Sequence, residues 1–365
     1  MPDIKRSLVK KGIKLLRKIS PRNKQTKTHI VFEACEKFHY FHMESIIENI
    51  IADDRFEVSI IKWGNFSDDE KLPNVHYLTF DEFWHDWFNI YDILVTTELD
   101  RRPGWFDGTA VCMFHGAGPK MSYIKDPSIN QYDIIFSVGP MTYDVQKAYV
   151  NNNVKIASIG LPITDILVSE TKISLPDCIA IDSNKPTLMY APSWSYYPEQ
   201  VSMDDQILNV LAEIDDYNII IRPHPNLLIP ERCGGIDWKT KLEKLQLKGI
   251  QVSQGKDHSV YDLLQHVDVL LGDMSSVTYE YLILNRPIIL YIKDGIFDEL
   301  EASDFIDPLL SATTKLESAT SLKSTLKSLK EKDLSAERIK LLNKTLFNVG
   351  AATNAALDTI KGLLK

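Results

Sequence analysis

With 365 residues, 44% of them hydrophobic and 25% charged, the chain is too long for one core; about two globular domains are expected, and disorder is excluded. A formal charge of −9 excludes a general nucleic-acid binder, and no apolar run reaches the ~20 residues of a spanning helix. Four scattered cysteines (Cys35, Cys112, Cys178, Cys233), none in a CxxC pair, exclude a zinc ribbon or disulfide framework and fit a reducing compartment.

The charge is unevenly placed. Residues 1–28 carry ten Lys/Arg against the single acid Asp3, leaving 31 basic and 49 acidic residues in the rest. A helical projection of residues 4–19 gathers Ile4, Leu8, Val9, Ile13, Leu15, Leu16 and Ile19 on one broad face. Arg6, Lys10, Lys11, Lys14, Arg17 and Lys18 share the other. That segregation predicts an amphipathic helix within residues 1–27, lying on an anionic membrane surface; a solvated or self-packed tail is the plainer alternative. No signal-peptide pattern accompanies it.

Strand-like runs then alternate with helical stretches. "THIVFEAC" precedes the helical "HMESIIENIIA", and "FEVSIIKW", "YDILVTT", "TAVCMF", "YDIIFSVG" and "KIASIGL" continue to residue 161. Such alternation predicts a parallel sheet with helices on its faces. The polar stretch from Pro162 to Pro186 reads as a junction. The pattern restarts with "TLMYAPS", "YNIIIRPHP", "GIQVSQ", "VDVLLGD" and "RPIILYI". The expected fold is therefore α/β, two doubly wound Rossmann-like domains at 28–161 and 187–334 with a cleft between them, followed by helices over 335–365.

Ligands of such sheets bind beyond the carboxyl ends of the strands, so residues there carry the functional reading. His39 and His42 in "FHYFHM" share a helix face, but no third ligand stands out, so no metal site is assigned. "AVCMFHGAGPK" ends a strand in His115, a base near neutral pH, followed by Gly116 for close backbone approach and the cation of Lys120. "LMYAPSWSYYP" leaves a strand through Pro192, Ser193 and Trp194, an indole for a base, an acceptor or the core. In "IIIRPHP", two prolines lock Arg222 and His224 at a strand exit, as an anion clamp requires. In "LLGDMSSVTYEYLIL", Asp273 follows a strand while Ser275 and Ser276 suit either a helix cap or a phosphate site. Glu280, one turn further, is placed for ribose hydroxyls.

Taken together, "HGAGPK", "GLPITDIL", "YAPSW", "RPHP" and "GDMSSVTYEYLILNRPIILY" resemble, in order, the CDP-glycerol glycerophosphotransferase family of teichoic-acid and related polymer synthesis. The likeness runs from about residue 110 to 292. Its histidine-glycine element falls on His115 and Gly116 with Lys120 following, its arginine-x-histidine-proline element on Arg222, His224 and Pro225. Its aspartate-x-serine-serine element falls on Asp273, Ser275 and Ser276, with the acid on Glu280. Two basic positions of the family are occupied here by Ser195 and Ile163.

The resemblance implies a two-domain GT-B arrangement and peripheral attachment to the cytoplasmic face of the membrane. It also implies attack of a lipid-linked or polysaccharide acceptor hydroxyl on a CDP-alditol, releasing CMP. His115 is then the candidate base, and His224 with Arg222 serves the donor phosphates. Pro192 and Ser193 fall on the donor side, and His39, His42 and Trp194 on the acceptor side. No cofactor is assigned, and Mg²⁺ stays open. The competing enzyme reading is a GT-B glycosyltransferase using a CMP-sugar, with Glu33, Glu36 or Glu98 as base; the competing non-enzyme is a nucleotide-binding membrane protein.

Overall fold

The computed structural model describes residues 26–62, 71–86, 89–118, 121–195, 197–254, 258–293 and 303–364. The basic arm over 4–19 and Lys120 lie outside them. The chain divides into two units, one formed by residues 1–115, 122–165 and 347–365, the other by 116–121 and 166–346.

Among the described residues the first unit holds seven parallel strands: β1 (Thr28–Ala34), β2 (Phe56–Lys62), β3 (Val75–Leu78), β4 (Ile93–Thr96), β5 (Thr109–Met113), β6 (Ile134–Ser137) and β7 (Lys155–Ser158). Their order is β3-β2-β1-β4-β5-β6-β7, outward in both directions from β1. Helix α1 (Lys37–Ile51) follows β1 and turns Met43, Ile46, Ile47 and Ile50 into the core, all without exposed surface. Each such burial contributes about 1.5–3 kcal/mol, which holds the helix despite an N-cap without a side-chain hydrogen bond. Helix α2 (Pro140–Tyr149) begins on a proline whose missing N–H costs nothing at a helix start. The register matters for function. Glu33 pairs with Thr96 and Thr96 with Cys112, so the carboxyl ends of β1, β4 and β5 lie level.

Among the described residues the second unit holds six parallel strands: β8 (Thr187–Ala191), β9 (Asn218–Ile221), β10 (Gln251–Val252), β11 (Val269–Gly272), β12 (Ile288–Leu290) and β13 (Thr314–Lys315). They run β10-β9-β8-β11-β12-β13. Strands β8, β11 and β12 are buried throughout, the mark of a sheet covered on both faces. Helices α3 (Asp205–Leu211) and α4 (Trp238–Gln246) each start on an aspartate that accepts a backbone N–H, Asp204 from Ile207 and Asp237 from Thr240. Tyr190 pairs with Ile221 and Ala191 with Gly272, which levels the exits of β8, β9 and β11. The short helix α5 (Ser276–Glu280) follows β11.

Two strands, β3 and β13, are not among the sequence expectations; both are short edge strands with only partly buried side chains. The helices expected over 335–365 are two, and they part company: α6 (Ser335–Thr345) stays with the second unit, and α7 (Ala352–Lys361) rejoins the first. The Phe347 N–H donates to the Val138 carbonyl, and Asn348 donates to the carbonyls of Ser158 and Ile159. Gly160, at φ +93°, leaves room for that return, since a Cβ there would stand 2.3 Å from the Phe347 carbonyl oxygen.

Candidate functional site

In the first unit, three residues far apart in sequence meet beyond the level strand ends. His39 comes from the first turn of α1, Glu98 lies two residues past β4, and His115 two past β5. The His39 Nε2 stands 3.1 Å from a Glu98 carboxylate oxygen, and the His115 Nε2 stands 3.9 Å from the same oxygen. The two imidazole rings meet edge to face at 4.8 Å. On its other side, the His115 Nδ1 lies 2.9 Å from the Thr97 carbonyl oxygen, to which the Tyr123 hydroxyl also donates at 2.8 Å. A carbonyl accepts only, so Nδ1 carries the proton and Nε2 carries the basic lone pair. His115 is thus set as a proton acceptor.

Glu33 is buried at the end of β1, where it accepts from the Cys35 thiol at 2.9 Å and faces the Arg101 guanidinium. Burial, with the Glu33 carboxylate beside it, pushes the Cys35 thiol far above its ordinary range and keeps it protonated.

In the second unit, Arg222 and His224 leave β9 as the two prolines require. Backbone donors fix the segment, Arg222 N–H to the Tyr190 carbonyl and His224 N–H to the Pro192 carbonyl. The Arg222 guanidinium donates to the Ser253 hydroxyl and, at 3.1 Å, to the His258 carbonyl. Burial lowers it to about 10, so it remains a cation at neutral pH. The His224 Nδ1 accepts the Asn226 N–H at 3.2 Å, which leaves its Nε2 as the N–H donor. His224 is the opposite tautomer of His115. Trp194 lies beside it, ring centroids 5.8 Å apart, and also packs on the core of this unit.

Beyond β11 the polar groups are already engaged. A single oxygen of buried Asp273 accepts from the Ser193 N–H and the Ser202 hydroxyl, both at 2.7 Å, and so fixes the loop after Pro192. Burial raises its carboxyl above the ordinary range, against the pull of those donors. Ser276 approaches the glycine loop: the Gly118 N–H points at its hydroxyl at 3.4 Å, and a Cβ on Gly116 would stand 2.4 Å from it. Ser275 starts α5 but its side chain does not cap it, meeting the Thr278 hydroxyl at 3.3 Å instead.

Glu280 departs from expectation. Only 1% exposed, it accepts the Ala117 N–H at 3.1 Å and the Tyr261 hydroxyl at 2.7 Å. A carboxylate so enclosed holds the glycine loop and does not present itself to a ribose. His39 and His42 share one buried face of α1, as expected; His39 partners Glu98 and His115, while the His42 ring lies 6.2 Å from His115. The residues that complete these sites, Thr97, Glu98, Ser202, Ser253, His258 and Tyr261, carry no motif. Two of them, Thr97 and Ser253, follow strands directly, and the strand-end rule flags those positions.

A profile of the CDP-Glycerol:Poly(glycerophosphate) glycerophosphotransferase family matches residues 122–349. The teichoic acid glycerol-phosphate primase of Bacillus subtilis (strain 168) is 28% identical over 153 residues, 41% of this chain and 36% of the relative. The teichoic acid ribitol-phosphate primase of Bacillus spizizenii is 25% identical over 210 residues, 53% of this chain and 50% of the relative. The chain therefore spans half or less of the length of these curated relatives. Among solved structures, the wall teichoic acid polymerase TagF superposes with a TM-score of 0.68 at 18% identity, covering 97% of this chain and 93% of that one. A TagF variant soaked with CDPG gives 0.69 at 18% identity over 97% and 94%. A putative UDP-N-acetylglucosamine 2-epimerase from Listeria monocytogenes gives 0.60 at 14% identity over 92% and 96%. At these identities the likenesses carry the fold alone, which is GT-B-like.

Proposed function

The chain belongs to the CDP-Glycerol:Poly(glycerophosphate) glycerophosphotransferase family, and we propose that it transfers a glycerol-phosphate or related alditol-phosphate unit from a CDP-alditol to a hydroxyl of a lipid-linked or polysaccharide acceptor. The product is a cell-surface polymer of teichoic-acid or capsule type, and CMP is released. The observation that carries the chemistry is the Thr97 carbonyl on His115 Nδ1, which leaves Nε2, on the Glu98 side of the ring, as the basic nitrogen.

In this reading His115 Nε2 takes the proton of the acceptor hydroxyl as its oxygen attacks the β-phosphorus. A new P–O bond forms there, the bond to the CMP oxygen breaks, and that oxygen leaves with the electron pair. Such transfer depends on positioning and charge neutralisation. Arg222 supplies a cation at neutral pH, and His224 Nε2–H a donor, for the developing charge on the donor phosphates. The Ser275–Ser276 turn and the glycine loop held by Glu280 complete the donor side. Asp273 acts through Ser193, whose amide it orients.

Among the described residues no helix is long and apolar enough to cross a membrane. The basic arm of the sequence supports a peripheral site of action on an anionic, cytoplasmic leaflet. Deleting residues 1–24 then abolishes sedimentation with anionic vesicles and spares transfer to a short soluble acceptor. Release of CMP from CDP-glycerol, CDP-ribitol and CMP-sugar donors tests the donor class. Turnover of a CMP-sugar with neither CDP-alditol accepted overturns the proposal.

A further inference from the structure

The histidine group of the first unit has the chemistry of a metal site as well as of a base. One nitrogen of His39, one of His115 and one Glu98 oxygen all lie within 4.8 Å of one another. We infer that His39, Glu98 and His115 bind a divalent transition-metal ion, zinc being the best fit, and that the ion occupies the Nε2 lone pair that His115 otherwise offers to a proton. This inference goes beyond the transfer reaction and stands without it.

Four features support it. Two imidazoles and one carboxylate are a recognised three-protein-ligand set for zinc, with the fourth position left to solvent or substrate. Ligands about 2.1 Å from a tetrahedral ion stand about 3.4 Å apart; here His39 and His115 stand 3.1 and 3.9 Å from the shared Glu98 oxygen and every pair lies within 4.8 Å, so side-chain rotation closes the site. Metal-binding histidines almost always donate their other ring N–H to a carbonyl or carboxylate, which fixes the ring. His115 does so to Thr97, whose carbonyl is itself held by Tyr123. Finally, the three residues hang from α1 and the ends of adjacent strands, so the site is built on rigid elements.

The ligand set also selects among cations. Imidazole suits zinc, cobalt and copper, whereas Mg²⁺ prefers oxygen ligands and keeps its waters. Mg²⁺ is therefore not expected here, and any Mg²⁺ requirement of transfer arises elsewhere. Because both imidazoles must be neutral to bind, acid weakens the site.

Titration of the intact protein with Co²⁺, read by visible d–d absorption, tests the inference without recourse to activity. One equivalent should develop bands that Zn²⁺ displaces and Mg²⁺ does not. Glu98→Gln, at the most exposed of the three positions, and His39→Gln should each weaken Co²⁺ binding by about tenfold or more, at least what loss of an outer hydrogen-bond partner costs. Circular dichroism confirms that each variant is folded. Absence of cobalt bands in the wild-type protein, or bands unchanged in a folded Glu98→Gln protein, overturns the site. Zn²⁺ should also inhibit transfer, reversibly with a chelator. Tight metal binding with full transfer activity would support the site and overturn His115 as the base.

Discussion

The two units solve the same problem, placing polar chemistry at the carboxyl edge of a parallel sheet, by different routes. The second unit does it with short contiguous segments: Arg222 and His224 on one proline-locked exit, Asp273 to Glu280 on another. The first unit assembles His39, Glu98 and His115 from three elements spread over 76 residues of sequence, and only the strand order brings them together. The products differ in kind. One presents donors and a cation, the other a carboxylate and a proton acceptor. His115 and His224 express that difference most sharply, because a carbonyl on one Nδ1 and an amide N–H on the other impose opposite tautomers.

Glutamine tests the contrast, since its terminal amide can donate a hydrogen bond but cannot accept a proton at neutral pH. His115→Gln should lower kcat for CMP release by about a hundredfold or more, the range of general acid–base contributions. His224→Gln keeps a donor in place of Nε2–H and should lose only about tenfold, the worth of one hydrogen bond to a charged group. Equal losses would break the comparison, and a larger loss for His224→Gln would reverse it.

Arg222 comes next in size. Its guanidinium is shaped by Ser253 and His258, and a lysine would keep the charge but not the fork. Arg222→Lys should raise the KM for the CDP-alditol about tenfold with a smaller change in kcat, the signature of binding energy removed equally from ground and transition states. The lowered guanidinium also gives a pH test. In the free enzyme it deprotonates near 10 instead of 12.5, so kcat/KM should decline as pH approaches 10 from below. A kcat/KM unchanged through pH 10 in a folded protein would show that the guanidinium keeps its proton there, and leave Arg222→Lys to decide its part in donor binding.

These expectations also mark what the sequence makes legible. The strand runs, their exits and the residues on each exit follow from local pattern: an apolar run such as Ile219–Ile221 ending in Arg-Pro-His-Pro has few other readings. Glu98 is visible there only as one of several acids in its region, because its partnership with His39 and His115 depends on β1, β4 and β5 being neighbours. Glu280 reads as a ligand for hydroxyls because a carboxylate one turn into a helix looks exposed. Its burial against Ala117 and Tyr261 is a tertiary fact with no periodic signal. The split of the last two helices is equally hidden, since both are ordinary amphipathic segments and nothing in their own residues says which core they cover.

That split yields the smallest prediction and bears on how the first unit is closed. Helix α7 begins at Ala352 with no side-chain cap of its own. Asp165, the last residue of the first unit before the chain enters the second, supplies one from a distance. Its carboxylate accepts the Ala352 N–H at 3.0 Å and the Thr353 N–H at 2.8 Å. A carboxylate at a helix start also interacts favourably with the helix dipole. Downstream, Ala356, Leu357 and Ile360 bury themselves in the core of the first unit, so the cap fastens apolar surface and does more than tidy a terminus. Losing a cap costs about 1 kcal/mol, and for a domain of this size that is a fall in Tm of about 2–4 °C. Asp165→Ala should therefore lower the melting temperature by that amount, with Asp165→Asn falling less because its oxygen still accepts. Transfer by the folded Asp165→Ala protein at 25 °C should match wild type, since the Asp165 carboxylate is engaged with the start of α7 and not with His115, Arg222 or His224. A Tm unchanged within a degree would show that the packing of Leu357 and Ile360 alone returns the chain to the first unit.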